Sequence, residues 1–216
     1  MSYLQFLSEH GPTLLVGTFT TLKVFILSLI LYAIISMTLG MMRISKSLFD
    51  QGAAAIYIEF FRGTSLLVQL FWAYYVLPLF GLSLEALVVG VVTLGMNFGA
   101  YGAEIVRAGI LAVPRGQWEA AYVLNFTPAK RIRRIIIPQI FPIILPPAAN
   151  LTVELLKATS LVALVTVMDL TFEARQINSI TWLSAQCFGT VLVIYYIICL
   201  LYTSDAADEE DSVDLG

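Results

Sequence analysis

The sequence predicts an all-α integral membrane protein of about five transmembrane helices. Composition, the length of the apolar runs and the placing of the basic residues all point this way. Of 216 residues, 59% are hydrophobic and only 12% are charged, about half the charge share of an ordinary soluble domain. Mean hydropathy is +0.86. A water-soluble core cannot hide this much apolar surface, so the chain belongs in a bilayer. The net charge of −3 misleads, because six of the fifteen acids fall in the last twelve residues. Without them the body is mildly basic. Cys187 and Cys199 share the last apolar segment and read as small apolar residues rather than a disulfide.

The first span is Leu14–Met42. Lys23, about two turns inside it, reaches the near interface by snorkelling. Arg43 and Lys46 follow directly and mark a cytoplasmic loop, which places the N-terminus outside. Residues 53–61 lead through Arg62-Gly63 into an apolar run over Thr64–Phe80. These form either one long tilted helix or an elbow followed by a span. Gly81-Leu82-Ser83 is an external turn, and Leu84–Ile105 is the third span. Six of the twelve basic residues lie between Arg107 and Arg134, which makes this loop cytoplasmic. Pro138–Leu156 is the fourth span despite Pro142, Pro146 and Pro147, which neighbouring helices or a cavity make tolerable. Leu161–Leu170 is too short to cross alone and reads as a continuation or a re-entrant piece. Thr171–Thr181 reads as a polar external loop, and Trp182–Tyr202 as the last span, leaving the C-terminus in the cytoplasm. Residues 203–216 hold six acids and no base, against the charge asymmetry of a cytoplasmic end. They are expected to be non-native or disordered.

The loop at 107–137 carries the most information. Arg115–Leu124 reads as a short helix closed at Asn125, since Asn ranks second to Gly for the left-handed residue that ends a helix. Thr127 and Pro128 then supply a helix start, as N-cap and first helical residue. Two short helices meeting outside the membrane make a docking element.

Glu119-Ala120-Ala121, three residues, Asn125, nine residues and Ile135-Ile136-Ile137-Pro138 resemble the EAA loop of ABC-importer permeases. The family pattern has Gly at position 125 and commonly Leu at 137. Phe61-Arg62-Gly63-Thr64, Ala103–Ile110 and Leu156–Val162 are similar to the polar amino acid permeases, with a further likeness to permeases for ectoine and hydroxyectoine. The resemblance spans residues 14–202. It implies a type I ABC importer transmembrane domain over 1–202, in the bacterial inner membrane. The implied partners are ATP-binding cassette subunits, a second permease (identical or paralogous), an external solute-binding protein and membrane lipid; no nucleic acid is implied. Glu119 would anchor the ATPase-coupling loop, Ala120 and Ala121 would permit close approach, and Asn125 would shape the turn. Ile135, Ile137 and Pro138 would tie the loop to the fourth span.

Nothing here is an enzyme active site. There is no phosphate-binding G-x-x-x-x-G-K-[ST] run, one histidine, and no metal-ligand cluster, so no cofactor, metal or catalytic residue is expected. Polar residues at membrane depth mark a pathway by default. Asn97, Tyr101 and Glu104 recur at helical spacing on the third span, and Glu154 and Lys157 at i, i+3 on the fourth, where they can pair. The competing reading is an ion-coupled secondary transporter or channel using Glu104 or Glu154, which leaves the cytoplasmic double helix without purpose.

Overall fold

The computed structural model describes residues 3–214, with side chains described except at 128–129 and 203–214. Among these residues every regular element is helical. Helix α1 spans Tyr3–Arg43, 41 residues, or about 60 Å at 1.5 Å per residue, twice the hydrocarbon thickness. The excess is the N-terminal end, where Phe6 and Leu14 are buried in a cluster of their own. Helix α2 (Leu48–Gly63) starts at Ser47, whose side chain accepts from Asp50 N. It is followed by α3 (Leu66–Phe71), a π-helical turn over Trp72–Val76 and a 3-10 turn over Leu77–Phe80. The axes on either side of Gly63–Leu66 meet at 100°, so this stretch is a sharply bent pair of helical pieces and not one long tilted helix.

The elbow is held by side-chain amides. Gln69 Nε2 donates to Thr64 Oγ1 at 2.6 Å and to Phe61 O at 3.1 Å. Asn97 Nδ2, from the next helix, donates to Phe61 O at 3.1 Å and Gln69 Oε1 at 3.0 Å. These bonds take up backbone carbonyls that the bend leaves open, which a bilayer would not satisfy.

Helix α4 (Ala86–Ala112) is the central element, with 61% of its most apolar window buried. It runs parallel to α1: Ser28 Oγ donates to Val91 O and Ser36 Oγ to Gly99 O. The run Gly95-Met96-Asn97-Phe98-Gly99 is a GxxxG pattern, the small-residue face that lets membrane helices approach closely. A Cβ at Gly95 would sit 2.7 Å from Leu31 and one at Gly99 2.5 Å from Ile35. The main core joins α1, α3 and α4 to the fourth span through Phe25, Tyr32, Leu70, Leu94, Phe98 and Leu155.

Helix α5 is Arg115–Val123 and α6 is Pro128–Arg131. A π-helical turn over Ile132–Ile136 leads into α7 (Ile137–Ala158). Pro138, Pro142, Pro146 and Pro147 each remove a donor from the ladder, and the wide turn falls immediately before the first of them. Helix α7 continues as a 3-10 turn over Thr159–Val165, ended by left-handed Thr166. Residues 161–165 are thus a continuation.

The expected external loop at 171–181 is instead helix α8 (Leu170–Thr181). Asp169 caps it by accepting from Phe172 N at 2.9 Å, and Leu170, Ala174 and Ile177 form one buried face against Phe6, Leu14 and Cys187. The polar residues that suggest a loop, Arg175, Gln176 and Asn178, are simply its other face. Helix α9 (Ser184–Asp214) follows left-handed Trp182, and its backbone stays helical through the acidic stretch to Asp214. Cys187 and Cys199 are not joined to each other by a disulfide.

Candidate coupling loop and translocation groove

The loop after α4 is built around a helix end. Asn125 has φ 56°. Phe126 N donates to Ala121 O at 3.2 Å and Asn125 N to Tyr122 O at 2.9 Å, the bond pair of a Schellman motif. Two basic residues brace the turn: Lys130 Nζ lies 4.8 Å from the Phe126 ring centre, and the Arg131 guanidinium 5.6 Å from that of Tyr122. Arg131 also donates to Phe126 O at 3.4 Å.

The two alanines divide the labour. Ala121 is fully buried beneath the helix, whereas Glu119 and Ala120 are exposed. Beside them Tyr122, Val123 and Leu124 are 73%, 82% and 64% exposed. An apolar trio standing clear at the end of a charged helix is a surface made to be covered, and composition alone gave no hint of it.

Ile135 and Ile137 are half-buried and Pro138 is exposed. The most deeply buried residues at this seam are Ile136, 1% exposed, and Ile140, 2% exposed, and Ile135 packs against them. They pack with Val106, Ile110 and Val113 of the α4 end, and Met37, Ile44 and Trp118 close the cluster. Gln139 Nε2 donates to Gln117 Oε1 at 3.4 Å, a further tie between α5 and α7. Side chains of α5, α1, α4 and α7 thus share one packed cluster.

The pathway candidates separate. Tyr101, Glu104 and Glu154 line one groove of about 680 Å³ between α4 and α7, together with Arg62, Asn150 and Pro147. The Arg62 guanidinium lies 5.3 Å from the Tyr101 ring centre. Glu104 meets Arg107 at 3.2 Å and Arg43 at 3.6 Å, so this carboxylate is already matched by two cations. Asn97 is buried in the elbow network and faces away from the groove. Lys157 lines a different cavity, of about 640 Å³, with Ser160, Thr171 and Tyr195. Glu154 and Lys157 thus form no pair: helix α7 presents one to α4 and the other to α9.

The chain matches the profile of binding-protein-dependent transport system inner membrane components over residues 34–207. It belongs to this family, and it is an ABC transporter permease: a multi-pass membrane subunit devoted to transport. It is 42% identical over 191 residues to the probable amino-acid ABC transporter permease protein y4tF of Sinorhizobium fredii, covering 86% of this chain and 80% of that one. Against the L-cystine transport system permease protein TcyB of Bacillus subtilis identity is 37% over 197 residues, covering 88% and 82%. Among solved structures, an amino acid ABC transporter with histidines superposes with a TM-score of 0.89 at 34% identity, covering 98% of this chain and 99% of that one. The methionine transporter MetNI shares the fold with a TM-score of 0.77 at 19% identity. The fold is thus that of a type I ABC importer transmembrane domain.

Proposed function

We propose that this chain is the transmembrane subunit of an ATP-driven importer for polar amino acids or related zwitterionic compatible solutes such as ectoine. In this reading α5 docks on a separate ATP-hydrolysing subunit. Glu119 makes a charge-assisted contact there, while Tyr122, Val123 and Leu124 supply the apolar anchor. Closure of two such ATPase subunits draws the loops of two permeases together, and the cluster around Ile136 and Ile140 passes that movement to α1, α4 and α7. The pathway opens outward, an external binding protein releases its solute, and hydrolysis resets the cycle. In the groove, Arg62 suits the carboxylate of a zwitterion, and Glu154 its ammonium group.

The observation that carries this is the coupling loop: an exposed docking surface fused to a buried hinge. The ion-coupled alternative gives that surface no task, and Glu104, one of its two candidate ion sites, is occupied by Arg43 and Arg107. The test is capture of the ATPase subunit encoded alongside this chain, from detergent, by wild type and Glu119→Arg. Wild type is expected to retain it and the variant to lose at least about tenfold in affinity, the cost of opposing a charge-assisted contact. If a folded wild-type protein retains none, the chain works alone and the reading fails.

A further inference from the structure

The densest set of buried polar atoms outside the groove lies where the chain turns from the 3-10 end of α7 into α8. Asp169 is fully buried there. Its Oδ1 is used as the helix cap, but Oδ2 is sealed from solvent and makes no hydrogen bond of normal geometry. The same holds for Thr171 Oγ1 and Tyr195 Oη. Thr171 faces Asp169, and Tyr195 reaches in from α9 toward Thr21, Thr159 and Thr171, within the field of the carboxylate.

Counting protons shows what is missing. Thr21 spends its hydroxyl proton on Gly17 O at 3.1 Å, and Thr159 spends its own on Leu156 O at 2.6 Å. Thr159 therefore turns only lone pairs toward the cluster, and Thr21 Oγ1 already accepts from Leu170 N at 3.1 Å. Thr171 and Tyr195 bring one proton each, to be shared among all these oxygens. Backbone N–H groups at the start of α8 and the Thr171 hydroxyl serve the carboxylate, but all of these donors are neutral and the set carries a formal negative charge. Among the described residues no Lys or Arg makes an ion pair with Asp169, and a buried carboxylate without a counter-charge is expensive.

We propose that Asp169 Oδ2, Thr171 Oγ1 and Tyr195 Oη form an all-oxygen binding site for a monovalent alkali cation at the meeting of α1, α7, α8 and α9. Hard cations take oxygen ligands, and divalent ones call for several carboxylates or a fuller shell; one carboxylate with neutral hydroxyls balances a single charge. Among the described residues no group of three or more His, Cys, Asp or Glu side chains could offer a divalent ion more. The ion would tie the start of α8 to the middle of α9. It would lock the outer end of the molecule independently of the solute groove.

The experiment uses the full chain in lipid nanodiscs, melted in sodium, potassium or choline chloride at matched ionic strength, with retention of radiolabelled sodium measured in parallel. An alkali salt at roughly ten times Kd is expected to raise Tm by about 3–5 °C over choline. Asp169→Asn keeps a good N-cap acceptor and should abolish both the gain and the label. Tyr195→Phe should weaken binding about tenfold. A wild-type protein that melts alike in all three salts and retains no label overturns the site, whether or not the variants fold. So does a Lys157→Met variant that, in choline, loses as much Tm as Asp169→Asn: the ammonium of Lys157, which lines one cavity with Thr171 and Tyr195, would then be the counter-ion.

Discussion

Among the described residues, three other than glycine hold a left-handed backbone: Asn125 at φ 56°, Trp182 at φ 59° and Thr166 at φ 64°. Only the first is visible in sequence, because Asn is the non-glycine residue that tolerates this region at low cost. Thr166 is β-branched, and its conformation rests on what surrounds it, including a 2.8 Å hydrogen bond between its hydroxyl and that of Tyr74, 92 residues away. At the coupling loop this difference becomes a test. Asn125→Gly keeps the left-handed turn without a Cβ, and ATPase capture is expected to match wild type. Asn125→Val places a branched Cβ there at a cost of about 1–2 kcal/mol. That shifts the local equilibrium about 5–30-fold away from the docked geometry, and capture should fall accordingly while Tm of the membrane body stays put. Equal capture by both variants would mean that the Schellman turn does not set the docking surface.

At the scale of the helices, α4 decides the packing, because its glycine face lets α1 lie against it. A Cβ at Gly102 would run into Ser36 Oγ and the Tyr32 ring, both on α1. Gly102→Leu is expected to destabilise by about 1–3 kcal/mol or more, the usual cost of overpacking. Gly52→Ala meets nothing within 4 Å and should leave Tm unchanged or slightly raised. Thermal melts of both in detergent settle it, and a wild-type Tm for Gly102→Leu would show that α1 and α4 do not pack as described. The spans themselves were legible from runs of apolar residues. The elbow at Gly63 was one of two readings the sequence left open, because it is fixed in part by Asn97, 36 and 28 residues from its partners Phe61 and Gln69. Helix α8 was legible in principle: Asp169 precedes Leu170, Ala174 and Ile177 at helical spacing. Arg175, Gln176 and Asn178 disguised it as a loop.

Across the whole molecule, two buried clusters sit at opposite ends of α1: Phe6, Leu14 and Ile177 at one, Val106, Ile136 and Ile140 with the coupling loop at the other. Charge predicts that the loop end faces the cytoplasm, since it holds six of the twelve basic residues, between 107 and 134. The make-up of the groove was less readable. Glu154 and Lys157 are three residues apart, but the wall each one faces depends on α4 and α9, which only the assembled bundle brings to either side of α7. Orientation can be tested at two open positions, because a side chain at Gly11 or Gly116 meets nothing within 4 Å. In a chain with Cys187→Ala and Cys199→Ala, Gly11→Cys is expected to react with a membrane-impermeant maleimide on intact cells. Gly116→Cys should react only after permeabilisation. The reverse pattern would put the coupling loop outside, where no ATPase could reach it, and the docking surface of Tyr122, Val123 and Leu124 would then have to face an external partner.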